Sequence, residues 1–419
     1  MLKTFLLSTS LLSSVVAFPK SMTDNKKESP AKAKSEVADL NKESAKPKED
    51  EKAKLTFSGY LDTYYFGNLN NPASRSNLGI SGATSEGDLI VGNARSFEQR
   101  SGQFSLGLVQ TKMTYSFKNV EAVADLAFGP NADLGNYGNL FGPLGTTTSL
   151  AIKQAYINYK ATDKLTFSAG QFGTHIGYEV IDAPVNYHYS LSNLFNNGPF
   201  YHVGLKATYA FTDKAALMLG VVNNIDNLND NNRQKGLISQ LFLAPASGWT
   251  VYLNWLGSNE APAGTDGSAP SGNYYSLFDL TTSYQISPKF FMGLNAAYGS
   301  QRFKVGNVSS SGTWGGVAVY TNYAISDKCG IGARYEVFDN KDGARGLYGA
   351  DGMGTSVNSF TLTGNISIAG GTLLLKPEVR IDSYPKVAGA VQKFEDSSGN
   401  YTKTSQTTLG MAAIIKFGN

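Results

Sequence analysis

Between Leu55 and Phe417 the sequence alternates apolar and polar residues at every second position, and this alternation constrains the fold most strongly. One clear stretch carries Leu373, Leu375, Val379 and Ile381 on one face and Lys376, Glu378, Arg380 and Asp382 on the other. A period of two is typical of a β-strand with two different faces, and the helical period of 3.6 does not fit these stretches. Pro377 lies on the apolar face of this stretch and predicts a local bulge. The region is therefore predicted to be all-β.

The connections between these strands alternate in length. Short connections are predicted at 118–119, 161–164, 212–214, 244–248, 287–289, 326–328 and 369–371. Long polar connections are predicted at 67–101, 129–149, 174–199, 224–235, 258–273, 300–312, 339–355 and 384–404. Seven short and eight long connections join sixteen strands and leave both ends of the strand region on the side of the short turns. An even strand number with short turns on one side is typical of outer-membrane β-barrels, whose short turns are periplasmic and whose long loops face outward.

Charged residues concentrate on one face of the predicted strands. They are Asp62, Glu121, Asp125, Lys206, Asp279, Arg334, Glu336, Lys376, Glu378, Arg380 and Asp382. The other face carries almost no charge, and the alternation places Lys153 there as an exception. A secreted sandwich or propeller could expose such charges, but sixteen strands joined by connections of alternating length fit a sandwich poorly. Because an Arg facing lipid at mid-depth costs about 2–4 kcal/mol, the charged face is predicted to line a water-filled lumen.

The segment before the barrel has a different composition. Lys3, the apolar run 4–16 and the small residues before Ala17 predict a secretory signal peptide over residues 1–17. Residues 18–54 are rich in Lys, Glu, Ala, Ser and Pro, which predicts a charged, disordered periplasmic linker. The barrel is predicted over residues 55–419. The net charge is only +3 and no basic stripe lies in the barrel region, which disfavours nucleic-acid binding.

Several segments resemble the OmpL-like β-barrel porins of Gram-negative bacteria, notably those related to Bacteroidetes. They are Phe57-Ser-Gly-Tyr-Leu-Asp-Thr-Tyr-Tyr65, Ala155-Tyr-Ile-Asn-Tyr159, Ala169-Gly-Gln-Phe-Gly173, Gly177-Tyr-Glu-Val-Ile-Asp182, Pro199-Phe-Tyr-His-Val-Gly204 and Val221-Val-Asn-Asn224. The likeness covers residues 55–419 loosely and 150–230 most closely. It implies a transmembrane barrel in the bacterial outer membrane.

The third long loop, 174–199, is predicted to form a constriction. A barrel of sixteen strands can enclose an aqueous channel, and the chain resembles general porins, whose third loop folds into the lumen. Candidate constriction residues on this loop are His175, Tyr178, Glu179, Asp182, Asn186, Tyr187 and His188. Acidic residues of the loop would face Lys206, Arg334, Lys376 and Arg380 of the wall across the path and produce a transverse field. In the alternative interpretation Arg334–Glu336 and Glu378–Arg380–Asp382 neutralise each other as strand ladders.

No cofactor, metal or catalytic site is expected. His175, His188 and His202 lie within 28 residues, but their spacing matches no zinc or haem motif. The acidic loop segments around Asp226, Asp230 and 339–343 do not fit the EF-hand formula, and ordinary polar loops explain them better than calcium sites. The sequence contains neither Gly-x-Ser-x-Gly nor His-Glu-x-x-His, and an enzyme is not expected.

Two functions remain open at this point. The first is an outer-membrane porin for passive diffusion of small hydrophilic solutes. The second is a non-conducting surface-exposed barrel that acts as an adhesin or a structural protein, although its loops carry few bulky anchors for a strong interface. The expected partners are outer-membrane lipid, small hydrophilic solutes and the barrel-assembly machinery during biogenesis. The oligomeric state stays open between a monomer and a homo-trimer.

Overall fold

The computed structural model describes residues 52–135, 150–223, 225–228, 230–263, 270–305, 308–388 and 391–418. The predicted signal peptide and nearly all of the predicted linker lie outside the described residues.

Sixteen antiparallel strands form one closed barrel, as the sequence predicts. They are β1 (Lys54–Asn68), β2 (Gln103–Phe117), β3 (Val120–Phe128), β4 (Leu150–Lys160), β5 (Leu165–Gly173), β6 (Tyr201–Thr212), β7 (Ala215–Val222), β8 (Gly236–Ala246), β9 (Trp249–Ser258), β10 (Tyr274–Gln285), β11 (Phe290–Val305), β12 (Val308–Ser326), β13 (Cys329–Asn340), β14 (Thr355–Ile368), β15 (Leu373–Ser383) and β16 (Ser405–Gly418). Each strand pairs with its sequence neighbour, and β16 closes the barrel on β1 with Tyr64 opposite Ala412. Closure leaves no unpaired sheet edge in the lipid, where an unpaired backbone group is costly.

All seven short turns fall where the sequence predicts them, but one long loop does not exist as predicted. Residues 300–312 were expected to be a loop, whereas β11 and β12 continue through this segment until Val305 pairs with Val308. The strands extend beyond the rest of the barrel wall as a two-stranded ribbon. Its polar side chains match the composition of a loop, while cross-strand pairing satisfies its backbone hydrogen bonds.

Burial follows the alternation along the strands. On β9, Leu253 faces outward with 47% of its surface exposed, whereas its neighbour Asn254 faces inward with 4% exposed. The same contrast separates the exposed Tyr335 from the buried Arg334 on β13. The outer wall is therefore apolar and meets lipid, and the inner wall is polar.

Lys153 corrects the strand parity that the sequence predicts. It was assigned to the apolar face, but its side chain is buried inside the barrel, where its Nζ lies 3.1 Å from Asp125. The register between β3 and β4 shifts at this point, because Asp125 pairs with Gln154 while Leu126 pairs with Ile152. Lys153 is the extra residue of this bulge, which turns its side chain inward.

The bulge predicted at Pro377 is absent. β15 keeps one register with β14 on either side of the proline, from the pair Thr363–Glu378 to the pair Ile366–Leu375. Gly364 lies beside the proline, and a Cβ atom at Gly364 would be 3.0 Å from the Pro377 ring. The missing side chain makes room for the ring, so the strand passes without an inserted residue.

Helix is scarce in the described residues. They contain α1 (Pro130–Leu134), α2 (Asn193–Asn197) and a 3-10 turn at Ala369–Gly371. Among them, no helix reaches the length and hydropathy needed to cross a membrane. Two short strand pairs lie in the outer loops, Ile80–Ala83 with Leu89–Val91 and Phe394–Glu395 with Tyr401–Lys403.

Candidate functional site

The connection between β5 and β6, residues 174–200, lies inside the barrel and is called the inserted loop below. Its residues bond to inward-facing side chains of strands around the barrel, from β8 to β15. Of the seven candidates predicted from the sequence, Asp182 and Tyr187 are half-buried and the other five are buried: His175, Tyr178, Glu179, Asn186 and His188. At this depth the inward side chains pack against the loop instead of lining a wide open bore.

One side of the inserted loop rests on a charged wall formed by β13, β14 and β15. The Glu336 carboxylate accepts backbone hydrogen bonds from Asn193 and Leu194, both 2.8 Å long, at the first turn of α2. A helix start leaves its first N–H groups unpaired, and a carboxylate there satisfies them. Glu378 accepts in the same way from Tyr189 N at 2.8 Å and Ser190 N at 3.2 Å.

The cations of the charged wall bind the loop as well. Arg334 forms an ion pair with Glu179 and donates to Ser190 O at 2.8 Å. Arg380 donates to Leu191 O at 2.7 Å and to Asp382 of its own strand at 2.9 Å. Lys376 donates to Ala183 O at 2.9 Å and to the carbonyl of Asn186. A buried charge without partners is very costly. These contacts therefore allow the charged wall to pack against the inserted loop.

The opposite side of the inserted loop rests on an amide wall formed by β8, β9, β10 and β11. Asp279 accepts from Gly177 N at 2.9 Å, from the Asn254 side chain at 2.8 Å and from the Asn295 side chain at 2.5 Å. Gln240 on β8 donates to the backbone oxygen of His175 at 3.3 Å. This wall therefore holds the loop through the Asp279 carboxylate and through neutral amide groups, without a cation among these side chains.

Aromatic contacts add to the polar ones on this side. The Tyr178 ring stacks on Tyr320 of β12 with centroids 4.4 Å apart, and Tyr187 packs on Phe291 at 5.5 Å. Stacked rings contribute beyond their buried area, so they fix the position of this part of the loop.

Asp182 is one of the two candidates that are only half-buried. Its side chain is 21% exposed, and its carboxylate lies 2.6 Å from Lys153 Nζ. Both residues line a cavity of about 40 Å³ together with Phe195 and Phe200. Such a volume holds only a few water molecules, so the gap between the inserted loop and β4 is narrow.

The remaining predicted charges also point inward. Asp62 accepts from Leu108 N and from the Tyr189 hydroxyl, each at 2.5 Å. Glu121 accepts from the side chain of Asn158 at 2.9 Å. Lys206 lies 4.2 Å above the Phe172 ring, in cation–π contact.

The His175 and His202 rings lie 5.7 Å apart, whereas His188 lies against β14. His175 lies 3.0 Å from Trp255 O through Nε2, and burial lowers its pKa to about 4. His188 Nδ1 lies 2.8 Å from Thr363 Oγ1, and burial together with the nearby Arg334 lowers its pKa well below its usual range. Both are therefore neutral near pH 7. Within the described residues no group of three His, Cys, Asp or Glu side chains is arranged to hold a metal.

Two cations in the outer loops were not among the residues predicted from the sequence. Arg95, in the loop after β1, forms an ion pair with Asp382 at 2.8 Å and lies 3.7 Å from Glu98. Lys393 donates to Ile80 O and to Tyr348 O, both at 2.7 Å, and so links three outer loops. Loops carry no periodic pattern, so the sequence offers no signal for these inward contacts.

The chain matches a known family over nearly the whole barrel. A family model described as "Putative beta-barrel porin-2, OmpL-like" matches residues 54–417. No curated protein matches the sequence.

Solved structures of several outer-membrane proteins have a similar fold. The outer membrane channel DcaP of Acinetobacter baumannii shares 13% identity at a TM-score of 0.54, over 89% of this chain and 99% of its own. The trimer form of OmpT of Vibrio cholerae shares 14% identity at 0.52, over 87% of this chain and 99% of its own. An anion-selective porin from Comamonas acidovorans shares 11% identity at 0.51, over 87% of this chain and 100% of its own. At these identities the likeness concerns the fold.

Proposed function

From the premise that the chain belongs to the OmpL-like β-barrel porin-2 family, we propose that it passes small hydrophilic solutes by diffusion across the bacterial outer membrane. The protein is a porin-type barrel of that membrane. The proposal assigns it a transport role and no catalytic step.

The observation that carries the proposal is a polar inner wall narrowed by one inserted loop. Strands with an apolar outer face and a polar inner face enclose an interior that favours water and polar solutes over lipid. The inserted loop divides this interior and is bonded to both the charged wall and the amide wall. A path whose cross-section is reduced by the loop admits small solutes and rejects large ones.

We place the narrowest part of the path beside the ion pair of Asp182 and Lys153. These two side chains line the narrow cavity beside the inserted loop, and Asp182 is partly exposed there. Selectivity in a narrow pore depends on the charges that line its constriction. Asp182 is therefore the loop acid that a passing ion would meet.

Glu179 takes a different role in this proposal. Its carboxylate is buried as well as paired with Arg334, so a passing ion does not reach it, whereas the Asp182 side chain is 21% exposed beside its partner Lys153. The transverse field expected from the sequence thus loses one of its loop acids. The wall ladder of the alternative interpretation has a counterpart in the Arg380–Asp382 pair. Glu179 fastens the loop, and Asp182 sets the ion preference.

We also propose a homo-trimer embedded in outer-membrane lipid and inserted by the barrel-assembly machinery. Support comes from the fold shared with OmpT of Vibrio cholerae in its trimer form. Chemical cross-linking of the purified protein in detergent, followed by mass photometry, distinguishes a trimer from a monomer.

Solute uptake into proteoliposomes tests the channel proposal. Liposomes that contain the refolded chain should swell in arabinose and stay unchanged in a large dextran. The swelling rate should fall steadily as the sugar becomes longer. A folded, heat-modifiable barrel that gives no swelling with any sugar would contradict the channel and favour a non-conducting surface barrel.

A further inference from the structure

A rigid segment of the outer loop after β13 lies at the outer end of the barrel. Arg345 N donates to the Asn340 side-chain oxygen at 2.8 Å, and the Asn340 amide donates back to Arg345 O at 2.9 Å and to Leu347 O at 2.8 Å. Gln301 of β11 donates to Ala344 O at 2.5 Å. Because these bonds hold the backbone on both sides of Arg345, its side chain starts from a fixed position.

Two inward-facing aromatic rings hold the Arg345 guanidinium. Its Cζ lies 5.5 Å from the ring centroid of Trp314 and 6.0 Å from that of Tyr275. Both rings are almost fully buried, while Arg345 itself is half-buried and reaches solvent. A guanidinium that stacks on aromatic rings loses rotational freedom before any ligand arrives, which lowers the entropy cost of binding.

This guanidinium differs from the buried arginines of the barrel. Arg95, Arg334 and Arg380 each form an ion pair with a carboxylate. No carboxylate of the described residues lies within ion-pair distance of Arg345. The nearby acid Glu260 is occupied otherwise, since it accepts from the Ser258 hydroxyl at 2.6 Å and from Ile225 N at 3.1 Å.

Polar atoms with unused hydrogen-bonding capacity surround Arg345. The Trp314 Nε1, the Tyr275 hydroxyl and the Gln301 Oε1 are buried and have no hydrogen-bond partner in the described structure. Tyr275 and Gln301 are direct cross-strand partners, and Trp314 lies opposite Gly299 on the same inner wall. Buried polar groups are normally paired, so such a cluster indicates water or a polar ligand.

We propose that Arg345, Trp314, Tyr275 and Gln301 form a binding site for small hydroxylated carboxylates at the outer entrance. The planar guanidinium fork matches a carboxylate in bidentate fashion. The phenol and the amide oxygen would bond hydroxyl groups of the same solute, while the Trp314 indole, whose N–H edge packs on Gly299, orients the guanidinium. A role for this cluster in capturing solutes for transport rests on the proposed channel function. Binding of the solute to the cluster can be measured whether or not the barrel conducts.

Isothermal titration of the refolded full chain in detergent tests the site, with gluconate as the probe. Glucose is the neutral control with similar hydroxyl groups, and chloride is the small-anion control. We expect measurable gluconate binding, with glucose and chloride at least tenfold weaker. Equal binding of gluconate and chloride, equal binding of gluconate and glucose, or no gluconate binding would each overturn the proposal.

Variants separate the site from general charge effects. Arg345→Gln should weaken gluconate binding about tenfold or more, and Arg345→Lys should recover only part of that loss. Trp314→Phe leaves a smaller ring under the guanidinium, and we expect a loss of about twofold to fivefold. Arg302→Gln is the matched control, because Arg302 stacks on Tyr274 at 5.1 Å but is exposed. An equal loss in Arg302→Gln and Arg345→Gln would contradict a defined site.

The titration and the swelling assay fail independently. If gluconate binds but no solute enters the liposomes, the site stands and the channel proposal fails. If sugars enter but gluconate does not bind, the channel stands and the entrance site is wrong.

Discussion

The inserted loop is fastened on its two sides by different chemistry. On the charged wall, Arg334 and Glu336 bond to loop groups that water does not reach. On the amide wall, Asp279 is the one acid among the side chains named for that wall, and it accepts from a loop N–H and two amides. Residues 179–194 of the loop thus meet several full charges, whereas residues 175–178 meet one carboxylate among neutral amides.

The two sides of the loop should therefore differ in how much a substitution destabilises the fold. Removal of one partner from a buried ion pair leaves an uncompensated charge, which costs more than the loss of one neutral hydrogen bond. The charged wall should therefore dominate the stability of the closed arrangement. The amide wall should tolerate change and give smaller effects.

Arg334→Met should produce the largest effect of a single substitution. It leaves the buried Glu179 carboxylate without its cation, and we expect a loss of about 3–5 kcal/mol in the free energy of unfolding. Urea unfolding monitored by tryptophan fluorescence measures it. The double variant Arg334→Met/Glu179→Gln should regain a large part of the loss, because no unpaired charge remains. A double variant no more stable than Arg334→Met would contradict the charge explanation.

A fall in pH should have the second-largest effect, because it destabilises the fold through His175 on the amide-wall side of the loop. Burial lowers the pKa of His175 to about 4, against 6.5 when unfolded, so the unfolded chain takes up the proton first as the pH falls. The free energy of unfolding should fall between pH 6.5 and pH 4 by about 3 kcal/mol from this group. Unfolding curves at pH 7, 5.5 and 4 measure the decline. His175→Gln should flatten it, and an unchanged slope would rule out His175 as the cause.

Asp279→Asn should lower the free energy of unfolding by less than Arg334→Met or a fall in pH to 4. An amide keeps one acceptor oxygen but cannot accept from Gly177, Asn254 and Asn295 together. We expect a loss of about 1–3 kcal/mol, measured by the same urea unfolding. Asp163→Asn is the control, since its side chain is 99% exposed and should cause no measurable change. A loss as large as that of Arg334→Met would remove the contrast between the two walls.

Asp182→Asn should change selectivity with the smallest effect on stability. Lys153 keeps Asp125 at 3.1 Å when Asp182 is neutralised, so no buried cation is left alone and the loss should stay below about 1 kcal/mol. The reversal potential in a salt gradient should move toward anions. An unchanged reversal potential would exclude Asp182 from the constriction.

Much of the barrel follows from the sequence because lipid and lumen impose opposite demands on neighbouring residues. Strand number, turn positions and the inward direction of Arg334 or Glu378 all derive from that alternation. The direction of Lys153 does not, because one inserted residue reverses parity and leaves no mark in composition. The ribbon at 300–312 was also missed, because its mostly polar composition resembles that of a loop.

The position of the inserted loop inside the barrel was predictable, whereas the contacts of its residues were not. Loop length and family resemblance pointed to the inserted loop and its seven candidates. The separate roles proposed for Glu179 and Asp182 depend on which cation each carboxylate meets, and that depends on the path of the loop through the barrel. Arg95 and Lys393 lie in outer loops without periodicity, so tertiary contacts alone place them inward.

The chain is proposed to be a porin whose path is narrowed by a loop bonded to the charged wall. Single-channel conductance in planar bilayers is the decisive test of this proposal. The refolded wild-type barrel should open in discrete steps. Arg334→Met should give larger or noisier steps, because its loop has lost its main ionic tie, while Asp163→Asn should match the wild type. A folded barrel that never conducts, or identical steps in wild type and Arg334→Met, would contradict the account.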